Sequence, residues 1–75
     1  MKITYDPEAD ALYIYLPPEG TSVAETREVT EEIFVDLDEK DNIIGVEILS
    51  VSQQIPPREI SSITLTNLLQ TAQAT

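Results

Sequence analysis

The chain has 75 residues and a formal net charge of −10, because fourteen Asp and Glu side chains outnumber four Lys and Arg. A chain of this length forms one domain at most, and it buries only about 60% of the surface that its unfolded form exposes. With no cysteine to form disulfides, such a thin core favours homo-oligomerisation. The negative charge repels phosphate, so we expect no binding to nucleic acid or to an acidic membrane, and a basic protein or a cation fits better.

The ends and composition of the chain bear on its location. The N-terminal sequence lacks the apolar run of a signal peptide. No stretch approaches the roughly 20 apolar residues that cross a membrane. The lack of cysteine agrees with a reducing compartment. We therefore expect a cytoplasmic protein.

The first part of the chain has the pattern of a β-hairpin. Residues 2–6 and 11–16 alternate along their length, as β-strands with two different faces do. The acidic segment between them, 6–10, contains Pro7 and has the composition of a turn. Two prolines, Pro17 and Pro18, then end the second strand.

The middle of the chain predicts three more strands. A weaker alternation over 21–29 is typical of an edge strand whose charged side chains discourage aggregation. Residues 33–37 and 43–49 alternate clearly around a charged connection at 38–42, which predicts a central hairpin. Gly45 lies inside the returning strand, where a glycine indicates a bulge or a close backbone approach.

After residue 52 the pattern changes. Residues 53–60 read as a connector that Pro56 and Pro57 hold extended, and apolar side chains at helical spacing predict a short helix over 61–72. The predicted fold class is α+β, mainly β, in one domain of residues 1–75. A four- or five-stranded antiparallel β-meander spans 1–52, and the C-terminal helix packs on one face. The predicted core consists of Ile3, Tyr5, Leu12, Ile14, Leu16, Val35, Leu37, Ile44, Val46, Ile48, Leu65, Leu68 and Leu69.

The acidic connection of the central hairpin partly matches a calcium-binding EF-hand loop. Counted from Asp36, the residues Asp38 and Glu47 fall at its third and twelfth positions. The match fails at Lys40, where an oxygen ligand is needed, and at Asp41, where the loop has glycine. We predict a solvated turn, with Asp36, Asp38 and Asp41 left as weak candidates for binding a divalent cation.

A second acidic group lies in the turn of the first hairpin. Asp6, Glu8 and Asp10 have the hard oxygen ligands that magnesium and calcium prefer. No other residue is positioned by the sequence to complete a coordination sphere, and turn carboxylates commonly accept hydrogen bonds from free amides. We predict a structural turn and no cofactor.

Catalysis has little support in the composition. The chain has no histidine or cysteine, so the commonest general base and the commonest activated nucleophiles are missing. Glu47, on an apolar strand beside Gly45, is the one carboxylate expected near a packed surface, where it would be a candidate general base. The simpler interpretation is that Glu47 faces solvent or pairs with Arg27 or Lys2. We predict that the chain is not an enzyme.

Apolar side chains on the second face of the sheet predict an interface. A single short helix covers only one side of a sheet, so an aromatic-rich patch remains on the other and favours protein association. Self-association is its simplest form; the alternative is a partly exposed face with tyrosine hydroxyls in water. The candidate interface residues are Tyr13, Tyr15, Phe34, Ile43 and Leu49.

Two segments resemble a known family. The run YDPEADALYI at 5–14 resembles the opening signature of the "domain of unknown function 2283" family of small bacterial proteins. Residues 35–38 (VDLD) and 43–49 (IIGVEIL) are similar to its second signature, so the resemblance covers about 1–52. The turn at 40–42 departs from it by lacking glycine. The resemblance implies a small antiparallel β-meander with a short C-terminal segment, and it implies no catalytic or ligand residues.

The sequence therefore predicts a small acidic protein-interaction module that self-associates. Two alternatives remain open. One is an antitoxin-like partner of a small basic protein, by analogy with other small acidic families. The other is a divalent-cation-binding protein that uses one of the two acidic groups.

Overall fold

Within the described part of the chain, five strands and two short helices make up the fold. The computed structural model describes residues 1–18 and 20–68. The strands and helices follow in the order β1 (Lys2–Asp6), β2 (Ala11–Tyr15), β3 (Glu25–Thr30), β4 (Ile33–Leu37), β5 (Ile43–Ile48), α1 (Val51–Gln54) and α2 (Pro57–Ile60). The predicted class, a mainly β antiparallel sheet with a short helical segment after it, is confirmed. Within the described residues no helix is long and apolar enough to cross a membrane.

The sheet joins two separate antiparallel units. Its strand order is β1-β2-β5-β4-β3. In a simple meander β2 would lie beside β3, but here it lies beside β5. The pairs Ile14↔Val46 and Leu12↔Ile48 join the hairpin of β1 and β2 to the later strands. Both edges of the sheet, β1 and β3, are therefore strands that come first in their own units.

Cross-strand partners share a face of the sheet, and this divides the side chains into two sets. We call the side on which the short helices lie the helix face; it carries Ile3, Tyr5, Leu12, Ile14, Ile33, Val35, Val46 and Ile48. We call the other side the tyrosine face; it carries Tyr13, Tyr15, Phe34, Asp36, Gly45 and Glu47.

The hydrophobic core is very small. Among the described residues only Leu37, Ile44 and Val51 are buried apolar side chains, with exposed fractions of 5%, 4% and 0%. Three members of the predicted core are in fact exposed, namely Leu16, Leu65 and Leu68, and Leu69 lies outside the described residues. The remaining members of the prediction are partly buried on the helix face or belong to the buried set.

The helical segment begins earlier in the chain than the predicted 61–72. Both short helices fall within 51–60, which includes the predicted connector. Pro57 occupies the first turn of α2, where proline is tolerated because its missing N–H has no helical partner anyway. Residues 62–67 are not helical, in agreement with the β-branched side chains among them. Leu68 is helical, and residues 69–72 lie outside the described part of the chain.

Asp10 ties the first hairpin to α1. Its backbone has a positive φ of 52°, and its carbonyl accepts a hydrogen bond from the Val51 amide at 3.1 Å. The Asp10 carboxylate accepts bonds from the Ser52 hydroxyl at 2.7 Å and from the Ser52 amide at 3.1 and 3.2 Å. These contacts hold α1, and with it the fully buried Val51, against the sheet.

Candidate interaction face

The central feature of the tyrosine face is a tyrosine that reaches across a strand. Tyr13 on β2 donates its hydroxyl hydrogen bond to Oδ2 of Asp36 on β4, although β5 lies between these two strands. The other carboxylate oxygen, Oδ1, accepts a hydrogen bond from the Thr26 hydroxyl of β3 at 2.5 Å. Through Asp36 the side-chain hydrogen bonds connect three strands, β2, β4 and β3, and pass over β5 between the first two.

Gly45 makes this reach possible. A Cβ placed on Gly45 would lie 2.5 Å from Cζ and 2.6 Å from Cε1 of the Tyr13 ring, with the hydroxyl oxygen closer still. Any side chain at this position would therefore displace the ring. The bulge expected near Gly45 is also present, as a register shift of β5 against β4 between Asp36 and Leu37.

Aromatic side chains and carboxylates alternate on the rest of the tyrosine face. The Tyr13 and Tyr15 rings are 4.4 Å apart between centroids and tilted by 52°, which is a favourable aromatic geometry. Glu47 lies between Tyr13 and Phe34 in the register of the sheet. All four side chains are half-buried. Among residues 1–18 and 20–68 the helices pack on the opposite face, and no helix covers this one.

The environment of Tyr13 strongly favours its neutral form. Burial disfavours the phenolate and raises the pKa of Tyr13 well above its ordinary value of 10.0, and the hydrogen bond to the negatively charged Asp36 raises it further. Tyr13 is therefore protonated at neutral pH, where its hydroxyl donates the hydrogen bond to Asp36.

We expect Tyr13 to make the fold sensitive to alkali. Above pH 10 the unfolded chain loses the Tyr13 proton while the folded chain keeps it, so the free energy of unfolding falls as pH rises through that range. One group contributes a slope of at most about 1.4 kcal/mol per pH unit. Urea titrations between pH 8 and 11 measure this slope, and Tyr13→Phe is expected to flatten it. An equal slope in both proteins would contradict this assignment.

Two of the five candidate interface residues lie elsewhere. The β-bulge places Ile43 opposite Leu37, and cross-strand partners point to the same side of a sheet, so Ile43 belongs to the helix face, where 52% of it is exposed. Leu49 follows the end of β5, half-buried, and its amide donates to the carbonyl of Glu32 at 2.8 Å. Tyr13, Tyr15 and Phe34 remain together on the tyrosine face.

The acidic side chains of the central hairpin do not converge. Asp38 accepts hydrogen bonds from the side-chain amide of Asn42 at 3.0 Å and from the backbone amides of Asn42 and Lys40 at 2.9 and 2.8 Å. These bonds, with that of the Asn42 side chain first, lower the pKa of Asp38. Asp36 instead bonds to Tyr13 and Thr26, and Asp41 lies 3.6 Å from Arg27. In the structure these three carboxylates are therefore engaged by different partners.

The acidic turn of the first hairpin has the same character. Asp6 Oδ1 accepts hydrogen bonds from the amides of Glu8 and Ala9 at 3.0 and 3.3 Å. Asp10 is engaged by Ser52 and by the Tyr5 hydroxyl at 2.7 Å. These bonds, with Ser52 first, lower the pKa of Asp10. Within residues 1–18 and 20–68 no three acidic side chains form a group that could hold a metal ion.

Two surface hollows lie away from Glu47. One, of about 370 Å³, lies between the helix face and the segment after β5, with Ile3, Ile14 and Ile60 among its lining residues. The other, of about 340 Å³, is polar and adjoins the Asp38–Asn42 turn. Arg27, one of the predicted partners of Glu47, instead contacts Glu25 at 2.8 Å and Asp41. Neither hollow brings Glu47 into a concave site.

The comparisons with known proteins give a family and no further relative. The model of the family described as "Protein of unknown function (DUF2283)" matches residues 2–52, which is more than half of the chain. These residues include all five strands and every member of the tyrosine face. No curated protein and no solved structure matches the chain.

Proposed function

The chain belongs to the family of proteins of unknown function DUF2283, and we propose that it is a protein-interaction module without catalytic activity. The observation that carries this proposal is the tyrosine face, where Tyr13, Tyr15 and Phe34 lie half-buried and without a covering helix in the described part of the chain. Aromatic side chains on an uncovered sheet face are typical of protein interfaces.

The small core supports self-association as part of this function. Three buried apolar side chains among the described residues are few for a stable domain, and every residue of β3 is exposed. Small domains commonly gain stability by burying additional surface against a second copy. We therefore propose that the working form is a homo-oligomer.

The charge pattern of the tyrosine face favours a basic protein as the partner that binds there. Asp36 and Glu47 lie among the aromatic rings, and Glu28 lies opposite Phe34 at the rim. Stacking two such faces would bring like charges together, whereas Arg and Lys side chains would pair with the carboxylates and pack against the rings. This arrangement supports the antitoxin-like alternative, in which a small basic protein is neutralised by contact.

The divalent-cation alternative receives less support. The carboxylates of Asp6, Asp10 and Asp38 each accept hydrogen bonds from backbone amides in their own turns or from α1. A cation would have to replace those bonds, because it needs several oxygen ligands at one point. Glu47 lines neither of the two hollows described above, so neither supports an enzymatic role for it.

An NMR titration with an arginine-rich peptide tests the proposed face. At low salt we expect amide shifts concentrated on Tyr13, Tyr15, Phe34 and Glu47, with affinity falling as salt is added. Tyr15→Ser is expected to weaken binding about tenfold, as loss of an aromatic anchor does. The matched control is Val23→Ser, an exposed apolar residue outside the sheet. Shifts confined to the acidic turns, or equal effects of both variants, would refute the proposed face.

A further inference from the structure

The two edges of the sheet differ in how well they are protected against pairing. The β3 edge contains a register shift between Glu28 and Thr30, and this irregularity discourages a second strand from adding. The β1 edge pairs with β2 in unbroken register over all five residues. It contains neither proline nor a bulge, so it keeps the regular backbone that a partner strand needs.

The hydrogen-bonding pattern of the sheet shows which backbone amides and carbonyls of β1 point away from it. The Leu16 amide donates to the carbonyl of Ile44 at 2.9 Å, so the even-numbered residues of β2 bond to β5 and the odd-numbered ones bond to β1. In the register of β1 and β2, Thr4 faces Tyr13. It follows from the alternation of an antiparallel ladder that the amides and carbonyls of Ile3 and Tyr5 point away from the sheet.

The sequence of β1 is complementary to itself when reversed. An antiparallel copy centred on Thr4 places Ile3 opposite Tyr5 of the second copy and Lys2 opposite its Asp6. The Ile3 and Tyr5 backbones are the ones that point outward, so this register also matches donors with acceptors. A β-branched residue then faces an aromatic one, and opposite charges face each other at both ends of the strand.

We propose that two copies of this chain join through their β1 edges, antiparallel and in this register, with a two-fold axis beside Thr4. The proposal rests on the self-association proposed above and specifies the surface that performs it. Two sheets of five strands become one continuous sheet of ten. Since Lys2, Thr4 and Asp6 share a side with Tyr13 and Tyr15, both tyrosine faces lie on the same side of that sheet. A basic partner then meets two adjacent copies of the face.

Charged substitutions at Thr4 test the two-fold axis. Thr4→Lys and Thr4→Asp each place two like charges directly opposite each other at the axis, and each is expected to weaken dimerisation about 100-fold. In an equal mixture of the two variants the charges are opposite, so sedimentation velocity is expected to show the dimer again. Val29→Lys on the β3 edge is the matched control and is expected to leave dimerisation unchanged.

The outcomes separate this proposal from the broader one. The β1 pairing would be refuted if Thr4→Lys or Thr4→Asp alone dimerised as the unmodified chain does. It would also be refuted if the two variants were folded but stayed monomeric when mixed. Either result would leave the broader proposal of self-association standing. An unmodified chain that is monomeric at all concentrations would refute both. Circular dichroism shows whether each variant is folded.

Hydrogen exchange in the unmodified chain gives a second test that requires no variant. The outward amides of Ile3 and Tyr5 are expected to become about tenfold more protected as the protein concentration passes the dissociation constant, because they enter the new ladder. The outward amides of β3, those of Thr26 and Glu28, are expected not to change. Protection at Ile3 and Tyr5 that is independent of concentration, while the sedimenting mass rises, would refute the β1 pairing.

Discussion

Replacing Gly45 with alanine is expected to lower the free energy of unfolding by about 2–4 kcal/mol, since it overpacks the site and disrupts a partly buried hydrogen bond. The added Cβ would lie 2.5 Å from Cζ of Tyr13, so the ring must move away from the strand. Moving the ring also separates the Tyr13 hydroxyl from Asp36. Because few side chains are buried among the described residues, this loss is expected to leave a large part of the population unfolded.

The sign of this effect distinguishes close packing from ordinary backbone preference. In a strand with room for a methyl group, a change from glycine to alanine usually stabilises a protein by about 0.4–1 kcal/mol through the unfolded state. Urea denaturation of Gly45→Ala in a Tyr13→Ala background supplies the control, since the colliding ring is then absent. There we expect the change at Gly45 to be neutral or stabilising. Equal losses in both backgrounds would show that Tyr13 is not the reason for the glycine.

Replacing Asp36 with alanine is expected to lower the free energy of unfolding by about 1–3 kcal/mol, the usual cost of leaving a partly buried hydrogen-bonding group without its partner. The substitution removes the acceptor of both Tyr13 and Thr26. Asp36→Asn retains one side-chain oxygen and is expected to lose about half as much. The coupling can be isolated by a double-mutant cycle with Tyr13→Phe.

The Thr26 hydroxyl supplies the comparison for Asp36. Thr26 is exposed, so Thr26→Ala is expected to change the free energy of unfolding by less than about 0.5 kcal/mol. If Asp36→Ala were no more costly than Thr26→Ala in urea denaturation, the hydrogen bond across β5 would have no structural importance.

Strands and turns could be predicted from the sequence because their signals are local. Alternation along residues 33–37 is enough to predict β4, and the carboxylate of Asp38 caps its own turn within four residues of chain. The glycine inside β5 also carried a readable signal, since a glycine in a strand indicates a bulge or a close approach. The structure has both a bulge and a side chain packed against Gly45.

The strand order and the contact from Tyr13 to Asp36 could not be predicted in the same way. Both depend on β2 pairing with β5, which no local pattern specifies. The bulge that moves Ile43 to the helix face likewise depends on the register of two strands. Leu65 and Leu68 have helical spacing, yet both are exposed, because spacing alone does not show whether a surface is available for packing. An aspartate on the apolar strand β4 was the only sequence signal for the hydrogen-bonded pair.

Sedimentation equilibrium of the unmodified chain, from micromolar to millimolar concentration, tests the central claim of self-association most directly. The single chain has a mass of 8.3 kDa. We expect the average mass to rise with concentration towards twice this value. Added salt should promote the rise, because it screens the repulsion between two bodies of net charge −10. A mass that stays at that of one chain throughout, at low and at high salt, would contradict the account.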